Sequence, residues 1–149
     1  MRLVLQRVSR AEVRVEEAVV GAIGQGLLVL VGVEKGDDAS IVEEAAHKVA
    51  GLRIFEDEAG KMNRNIREAG GAALVVSQFT LAADLSRGRR PGFERALAPA
   101  EAAPLCDQLA RALELSGVPV ATGRFGAQMN VELVNRGPVT FVVDVGSKA

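Results

Sequence analysis

The stretch Asn135-Arg136-Gly137-Pro138-Val139-Thr140 separates two strongly strand-like runs, residues 129–134 and 139–145. It lacks the Asn-Gly or Gly-Asn pair that closes a minimal hairpin, so the pattern predicts something other than a tight reversal. Pro138 has no backbone N–H and a fixed φ, whereas Gly137 tolerates φ values that other residues avoid. Two backbone carbonyls can therefore be held in an unusual direction, and an X-Pro bond is where a cis peptide costs little. A wide turn with no further role fits the same residues.

Length and composition indicate one globular domain. The 149 residues show no composition shift or linker, so we predict a single domain over residues 1–149. Hydrophobic residues make up 48% of the chain, yet no apolar run approaches the ~20 residues of a membrane span. Charge interrupts the N-terminal apolar residues too early for a signal peptide, and the single cysteine, Cys106, fits a reducing compartment. We expect a cytoplasmic protein, and a net charge of -1 neither demands nor forbids a nucleic-acid partner.

The remaining pattern predicts mostly strands, with two helices. Apolar residues recur at helical spacing over residues 38–51, with Asp37 or Asp38 as the cap, and a second helix runs from Pro99 to about Ser116. The other predicted strands are residues 3–8, 11–15, 19–23, 27–33, 52–55, 73–76 and 118–122. We expect the first two of these to be neighbouring antiparallel strands. The glycines near residue 24 do not match a phosphate-binding loop, so no nucleotide cofactor is expected.

The residues that catalyse most hydrolytic reactions are scarce in this sequence. His47 and Cys106 are the only histidine and cysteine, and both fall on predicted helices without a partner nearby, so we interpret His47 as a surface residue and Cys106 as a packed one. No metal-binding spacing is present, so no metal is expected. Hydroxyl and amide groups remain at the end of one predicted strand, at Ser77, Gln78 and Thr80. With backbone N–H groups they could orient a substrate and stabilise an oxyanion. Such a site could cleave only a labile bond, for example an aminoacyl ester on a tRNA 3' end, where a ribose hydroxyl can assist.

A basic loop follows that strand end. Arg87, Arg89 and Arg90 lie in a segment marked by glycine and proline. Short basic clusters are usually solvated surface, but a rim that contacts phosphates needs only clustered arginines and backbone N–H groups. The two interpretations stand side by side.

Three separated segments carry a resemblance to known proteins. They are Ser77-Gln78-Phe79-Thr80, Gly123-Arg124-Phe125-Gly126-Ala127-Gln128-Met129 and Asn135-Arg136-Gly137-Pro138-Val139-Thr140. Together and in this order they resemble the D-aminoacyl-tRNA deacylase family, also called D-tyrosyl-tRNA deacylase. The likeness extends over nearly the whole chain, including residues 3–8, 29–37, 52–63 and 88–91. Each segment alone would be a weak signal, and their combination makes the resemblance specific.

The resemblance implies a fold and an activity. The expected fold is α+β, with an antiparallel-rich, β-barrel-like sheet and two main helices packed outside, assembled as a homodimer. The implied reaction is an editing hydrolysis that cleaves the ester bond of D-aminoacyl-tRNA and releases D-amino acid and free tRNA. Glycyl-tRNA should also be cleaved, because a device that rejects an L side chain cannot reject glycine. No cofactor, metal or membrane is implied.

The resemblance also implies roles for individual residues. The residues expected to bind substrate are Ser77, Gln78, Phe79, Thr80, Met129, Gly137 and Pro138. Thr80 and Gln78 are the candidate catalytic side chains, although the family's favoured chemistry uses the tRNA's own ribose 2'-hydroxyl. A cis Gly137–Pro138 pair from one subunit is expected to enter the partner's active site, where its carbonyls obstruct an L side chain. Arg87, Arg89 and Arg90 are the expected tRNA phosphate contacts.

Two positions depart from the family pattern, and two other classes of protein remain open. Arg136 stands where the family commonly has an acidic residue, which bears on how the loop is anchored, and residues 82–83 are plain alanines, which bears on pocket size. The alternatives are an RNA-binding module without chemistry and a purely structural dimer. With five phenylalanines and no tyrosine or tryptophan, few rings are available for base stacking. Release of D-amino acid from D-aminoacyl-tRNA separates the enzyme from both.

Overall fold

The computed structural model of the chain describes residues 1–146, so the last three residues of the predicted 1–149 domain lie outside the described part. The strands are β1 (Arg2–Val15), β2 (Ala18–Ile23), β3 (Gly26–Gly32), β4 (Phe55–Glu56), β5 (Met62–Arg64), β6 (Ala72–Ser77), β7 (Val120–Thr122) and β8 (Asn130–Asp144). The helices are α1 (Ala39–Gly51), α2 (Pro99–Leu115) and a 3-10 turn (Phe79–Ala82). Both predicted helices are confirmed, whereas the strand predicted at residues 52–55 is wrong because only Phe55 is part of β4.

The main sheet is mixed, and the predicted predominance of antiparallel pairing is wrong. The strand order is β2-β1-β3-β6-β7, with β8 on β1. Strand β1 pairs antiparallel with β2, β3 and β8, but β6 runs parallel to both β3 and β7. Helix α1 lies between β3 and β6 in the chain, and α2 lies between β6 and β7. Such helical crossovers return the chain in the same direction, which makes the strands they connect parallel.

Each of the two longest strands was predicted as two. Residues 3–8 and 11–15 are one continuous strand, β1, and the runs on either side of the 135–140 stretch are one strand, β8. In the pairing of β1 with β8, Gln6 lies opposite Thr140 and Val8 lies opposite Asn135. The four residues 136–139 of β8 therefore face a single residue of β1, Arg7. The 135–140 stretch is therefore a large bulge in a continuous ladder instead of a turn, because the extra residues of β8 are accommodated without reversing the chain.

The sheet separates two apolar clusters. Alternate residues of β3 point to opposite faces, so Leu27 and Val29 pack with α1 and α2 while Leu28 packs with β1 and β6 in a second cluster. This second cluster fills the inside of a nearly closed barrel. At Gly21 of β2 a Cβ would lie 2.2 Å from the carbonyl oxygen of Thr122 in β7, so glycine allows these two strands to approach.

The helices cover the outer face of the sheet. The Asp38 side chain accepts a hydrogen bond from the Ile41 N–H at 3.1 Å and so caps α1, and Pro99 occupies the first turn of α2. His47 is exposed and Cys106 is buried, which confirms both predictions. In residues 1–146, none of the helices has the length and apolar character needed to cross a membrane.

Candidate active site

A pocket of about 440 Å³ lies where three parallel strands end. Strands β3, β6 and β7 all have their carboxyl ends at this edge of the sheet, and in α/β sheets that edge is where ligands usually bind. The lining residues are Val33, Val76, Ser77, Gln78, Phe79, Leu97, Pro99, Ala102, Phe125, Gly126, Ala127, Gln128, Met129 and Val131. The structure thus brings together the two predicted segments that begin at Ser77 and at Gly123.

The first wall is the end of β6 and the 3-10 turn after it. Gln78 donates its N–H to the Val31 carbonyl at 2.7 Å, which holds the chain against β3 just before the turn. Gly32 makes room for the turn, since a Cβ there would lie 2.8 Å from the Leu81 Cβ and 3.2 Å from the Gln78 carbonyl oxygen. The turn begins without a side-chain cap. The N–H groups of its first residues, Phe79 and Thr80, therefore have no acceptor within the turn.

Polar side chains at this wall contact one another. The Gln78 amide donates to the Thr80 hydroxyl oxygen at 2.5 Å. Thr80 is exposed and does not line the pocket, in contrast to Ser77, Gln78 and Phe79. Burial raises the pKa of the Cys106 thiol of α2, an interaction with the Ser77 side chain acts in the opposite direction, and the nearby Asp107 carboxylate adds to the rise.

The second wall is the loop between β7 and β8. The Met129 sulfur accepts a hydrogen bond from the Arg124 N–H at 3.4 Å and so closes the loop on itself. A Cβ at Gly123 would lie 2.8 Å from that sulfur, so a larger residue there would displace the Met129 side chain. Phe125, 37% exposed, presents its ring at the pocket.

Among residues 1–146, no ionisable side chain lines the pocket. His47, the only histidine, lies instead beside a separate recess with Glu44, Lys48 and Arg53. Within residues 1–146, no group of three or more His, Cys, Asp or Glu side chains could hold a metal ion. From the described part of the chain, the pocket therefore offers hydroxyl, amide and backbone groups, but no side-chain general base.

The bulge at residues 136–139 is held from behind by Arg7. The guanidinium of Arg7, on a residue only 4% exposed, donates to the Arg136 carbonyl at 3.3 Å, to the Ile54 carbonyl at 3.0 Å and to the Glu56 carboxylate at 3.3 Å. Asn135 closes the bulge from its other end, because its side-chain oxygen accepts the Val139 N–H at 3.1 Å. The anchor of the loop is thus the Arg136 backbone.

Gly137 and Pro138 are exposed at the tip of this bulge, and the peptide bond between them is cis. Gly137 has φ 128, and a Cβ there would lie 2.7 Å from the Val139 Cγ2. In a single chain neither residue lines the pocket that contains Ser77.

The basic loop is fixed at its base. Asp84 and Gly92 exchange two backbone hydrogen bonds, of 2.7 and 2.9 Å. Arg87 and Arg90 border a recess of about 320 Å³ together with Arg95, a residue that the sequence did not suggest. The remaining lining residues of this recess are Asp84, Gly92 and Glu94. Arg89 is not part of the lining, so two of the three predicted arginines meet.

Several functional candidates were missed at the sequence level. Arg7 was read only as part of a strand, because its burial follows from the bulge opposite it, and Gly32 was read only as a strand residue. Phe93 contacts Phe79, with ring centroids 5.2 Å apart, across 14 positions of sequence. A buried arginine and a glycine next to a strand end carry no local signal of these roles.

The fold and the pocket define a class: an α+β protein with a nearly closed mixed barrel and a pocket that residues 1–146 line with hydroxyl, amide and apolar groups. A family model described as D-Tyr-tRNA(Tyr) deacylase matches residues 4–144. A D-aminoacyl-tRNA deacylase of Thermomicrobium roseum is 61% identical over 97% of this chain and 94% of the relative. A D-aminoacyl-tRNA deacylase of Geobacter sulfurreducens is 53% identical over 100% of this chain and 98% of the relative. The chain belongs to the D-aminoacyl-tRNA deacylase family and is a hydrolase.

Solved structures agree with this fold. The c-Myc DNA Unwinding Element Binding Protein matches with a TM-score of 0.94 and 35% sequence identity, over 99% of this chain and 100% of that chain. A probable eukaryotic D-amino acid tRNA deacylase matches with a TM-score of 0.82, over 95% of this chain and 97% of that one. Its 17% identity bears on the fold alone.

Proposed function

We propose that this enzyme cleaves the ester bond of D-aminoacyl-tRNA, and of glycyl-tRNA, releasing the amino acid and free tRNA. The observation that carries the mechanism is the pocket without an ionisable side chain at the carboxyl ends of β3, β6 and β7. An ester activated by the neighbouring ribose hydroxyl needs a site that positions it and stabilises an oxyanion, not one that supplies a strong base. The proposed place of action is the cytoplasm, where tRNAs are charged.

The proposed reaction uses the substrate's own hydroxyl. The ester carbonyl lies near the uncapped N–H groups of Phe79 and Thr80, which stabilise its oxygen as negative charge develops. The ribose 2'-hydroxyl assists the attack of water on the carbonyl carbon. The bond between the acyl carbon and the 3' oxygen then breaks, and the 3' oxygen receives one proton of the water through the 2'-hydroxyl and becomes a free 3'-hydroxyl. The amino acid leaves as its carboxylate, with the second proton of the water released to solvent. Gln78 orients the Thr80 hydroxyl, which serves in positioning and not as nucleophile.

A matched pair of changes tests this chemistry. Thr80→Val removes the hydroxyl and keeps the shape, and we expect kcat to fall by less than about ten-fold, as for loss of one neutral hydrogen bond. A tRNA that ends in 2'-deoxyadenosine and is esterified at the 3' oxygen should lose about a hundred-fold or more with the unchanged enzyme, in the range of general-base catalysis. Abolition of activity by Thr80→Val, together with full cleavage of the deoxy substrate, would make Thr80 the nucleophile and contradict the proposal.

We further propose that the active unit is a homodimer in which the bulge of one subunit completes the pocket of the other. Strand β8 pairs with β1 along one edge, and among the described strands nothing pairs with its other edge. It also exposes apolar side chains, with Val134 43%, Phe141 38% and Val142 64% accessible. An unpaired, partly apolar edge strand is a surface that a second chain readily covers. Gly137 and Pro138 lie on this strand, away from the pocket of their own chain.

Rigid carbonyls at the tip of the bulge would give chirality selection by repulsion. A fixed backbone obstructs an L side chain without attracting any particular D side chain, so many D-amino acids are accepted. Glycine has no side chain to obstruct, and glycyl-tRNA is expected to be cleaved.

Mixed subunits test the cross-subunit arrangement. Gly137→Ala should reshape the bulge, because its Cβ would lie 2.7 Å from Val139, and the variant should cleave L-aminoacyl-tRNA. Ala127→Trp should fill the pocket and abolish activity. When excess Ala127→Trp subunits are mixed with Gly137→Ala subunits, the remaining pockets receive an intact bulge. L-aminoacyl-tRNA cleavage should then fall while D-aminoacyl-tRNA cleavage persists. Unchanged L cleavage in the mixture, or a monomeric active enzyme in sedimentation, would contradict the proposal.

We propose that the basic loop contacts tRNA phosphates through Arg87, Arg89 and Arg90, because this loop lies beside the pocket. Gln substitution of these residues should reduce affinity for tRNA uniformly across sequences and lower the salt dependence of binding. Binding without release of D-amino acid would favour an RNA-binding module over an enzyme.

A further inference from the structure

At the rim of the pocket, Phe79, which lines it, and Phe93, which does not, form an exposed aromatic pair. Their centroids lie 5.2 Å apart with an angle of 55° between the ring planes. Phe79 is 58% exposed and Phe93 is 40% exposed, and Leu85 nearby in the chain is 72% exposed. Apolar rings usually bury their surface, so two large rings left in water together indicate a surface that is covered in use.

This pair is continuous with both the pocket and the basic recess. Phe79 lines the pocket, whereas Phe93 lies between Gly92 and Glu94, which line the recess with Arg87, Arg90 and Arg95. Three guanidinium groups against the carboxylates of Asp84 and Glu94 leave the recess with a net positive charge. The segment is held in place by the Asp84–Gly92 backbone pairing and by the bond from Arg95 to the Ala83 carbonyl at 3.4 Å.

We propose that the Phe79–Phe93 pair is a stacking platform for the unpaired nucleobase that precedes the terminal adenosine of the tRNA. This inference rests on the proposed function. A pocket of about 440 Å³ is in the size range that holds one small ligand, so the nucleotides before the aminoacylated adenosine must lie outside it. The ring of Phe93 contacts Phe79 at the edge of the pocket and is an aromatic surface open to these nucleotides.

The chemistry of the surface fits a single-stranded nucleic acid end. Proteins that hold unpaired strands combine aromatic rings, on which bases stack, with positive charge for the phosphates. Here the rings and the arginine-bordered recess are adjacent in the same short segment. Because the rings are inclined and not parallel, a flat base can stack on the exposed face of one ring while the other ring borders it. Phe93 lies outside the pocket lining, so its ring is expected to contact the base of the second nucleotide and not the terminal adenosine.

The test compares two substrates that differ in the two nucleotides before the terminal adenosine, the nearer of which carries the proposed stacked base. One is a D-aminoacyl ester of adenosine alone, and the other is the same ester on the trinucleotide CCA, with which every tRNA ends. With the unchanged enzyme, kcat/KM should be higher for the trinucleotide ester by about 5- to 100-fold, as expected for one stacked base. Phe93→Ala should remove most of this advantage, and Phe93→Leu should do so if the flat ring is what matters.

Controls separate this inference from the proposed function. Leu115→Ala removes another exposed apolar side chain, 82% accessible, at the opposite end of α2 from the pocket-lining Pro99 and Ala102, and should keep the trinucleotide advantage. Circular dichroism and sedimentation check that each variant stays folded and keeps its oligomeric state. Equal losses on the two substrates in Phe93→Ala, or a change in oligomeric state caused by it, would overturn the platform. Failure to cleave the adenosine ester and every tRNA substrate would instead overturn the proposed function.

Discussion

Gly32→Ala is expected to impair catalysis by moving the 3-10 turn. Gly32 ends β3, and the turn Phe79–Ala82 lies directly against it. A Cβ at position 32 would lie 2.8 Å from the Leu81 Cβ and 3.2 Å from the Gln78 carbonyl oxygen. Both partners are a Cβ atom or backbone, so neither can rotate away. The turn that carries Phe79 must shift instead.

The size of this shift follows from the contact distances. Ordinary contacts of a Cβ are 3.4–4 Å, so a distance of 2.8 Å requires a retreat of 0.6–1.2 Å. A displacement of about 1 Å in a positioned catalytic group can cost about a hundred-fold in rate. Overpacking of this kind also destabilises by about 1–3 kcal/mol, which lowers Tm by about 2–12 °C in a domain of this size. We therefore expect kcat to fall by about 10- to 100-fold in a protein that still folds.

The assay is single-turnover deacylation of D-aminoacyl-tRNA, with thermal unfolding of the same samples. Gly51→Ala is the matched control, because nothing lies within 4 Å of a Cβ at the end of α1 and alanine favours the helix. It should keep full activity and an equal or slightly higher Tm. Wild-type kcat in Gly32→Ala, with or without a lower Tm, would refute the link between the turn and the chemistry.

The other predictions concern the bulge, the buried thiol and glycine. Arg7→Met should lose the bond to the Arg136 carbonyl and raise cleavage of L-aminoacyl-tRNA, measured as the D/L ratio, whereas Arg10→Met removes only an exposed pair with Glu132 and should leave the ratio unchanged. The pKa of Cys106 is raised in the folded state, so its contribution to stability is complete below the unfolded thiol pKa of about 8.5 and is lost as pH rises through the folded value. Urea unfolding above pH 8.5 should show this loss, and an unchanged pH dependence in Cys106→Ala would exclude the thiol as its source. Glycyl-tRNA that survives an incubation in which D-aminoacyl-tRNA is fully cleaved would contradict selection by repulsion.

The predicted helices illustrate what could be inferred from local pattern. The signals for the two helices are local. Asp38 and Pro99 mark where the helices begin, and apolar residues recur at helical spacing within each of them. Capping and one-sided burial depend on residues only a few positions apart. Strand β3 was equally clear, since its continuous apolar run requires cover on both faces. The segment from Ser77 to Thr80 was found for a similar reason: polar groups follow directly after a buried strand.

The direction and length of the strands were not accessible in the same way. Parallel pairing of β6 depends on where α1 and α2 return the chain, and periodicity in β6 is the same for either direction. Residues 9–10 interrupt the apolar alternation of β1, yet they stay extended because β8 continues beside them. Pairing partners far apart in sequence decide such points.

The stretch 135–140 shows the division between the two levels. Its residues by themselves predicted that no tight hairpin forms there, because the Asn-Gly type of pair is missing, proline fixes φ and lacks an N–H, and glycine permits φ values that other residues avoid. Only the tertiary structure decided that the stretch is a bulge opposite Arg7, with a buried guanidinium holding it. That arrangement requires β1 and β8, more than 100 positions apart in the chain, to lie side by side. The backbone preferences of a segment follow from its own residues, whereas the burial of a side chain and its distant contacts depend on the whole fold.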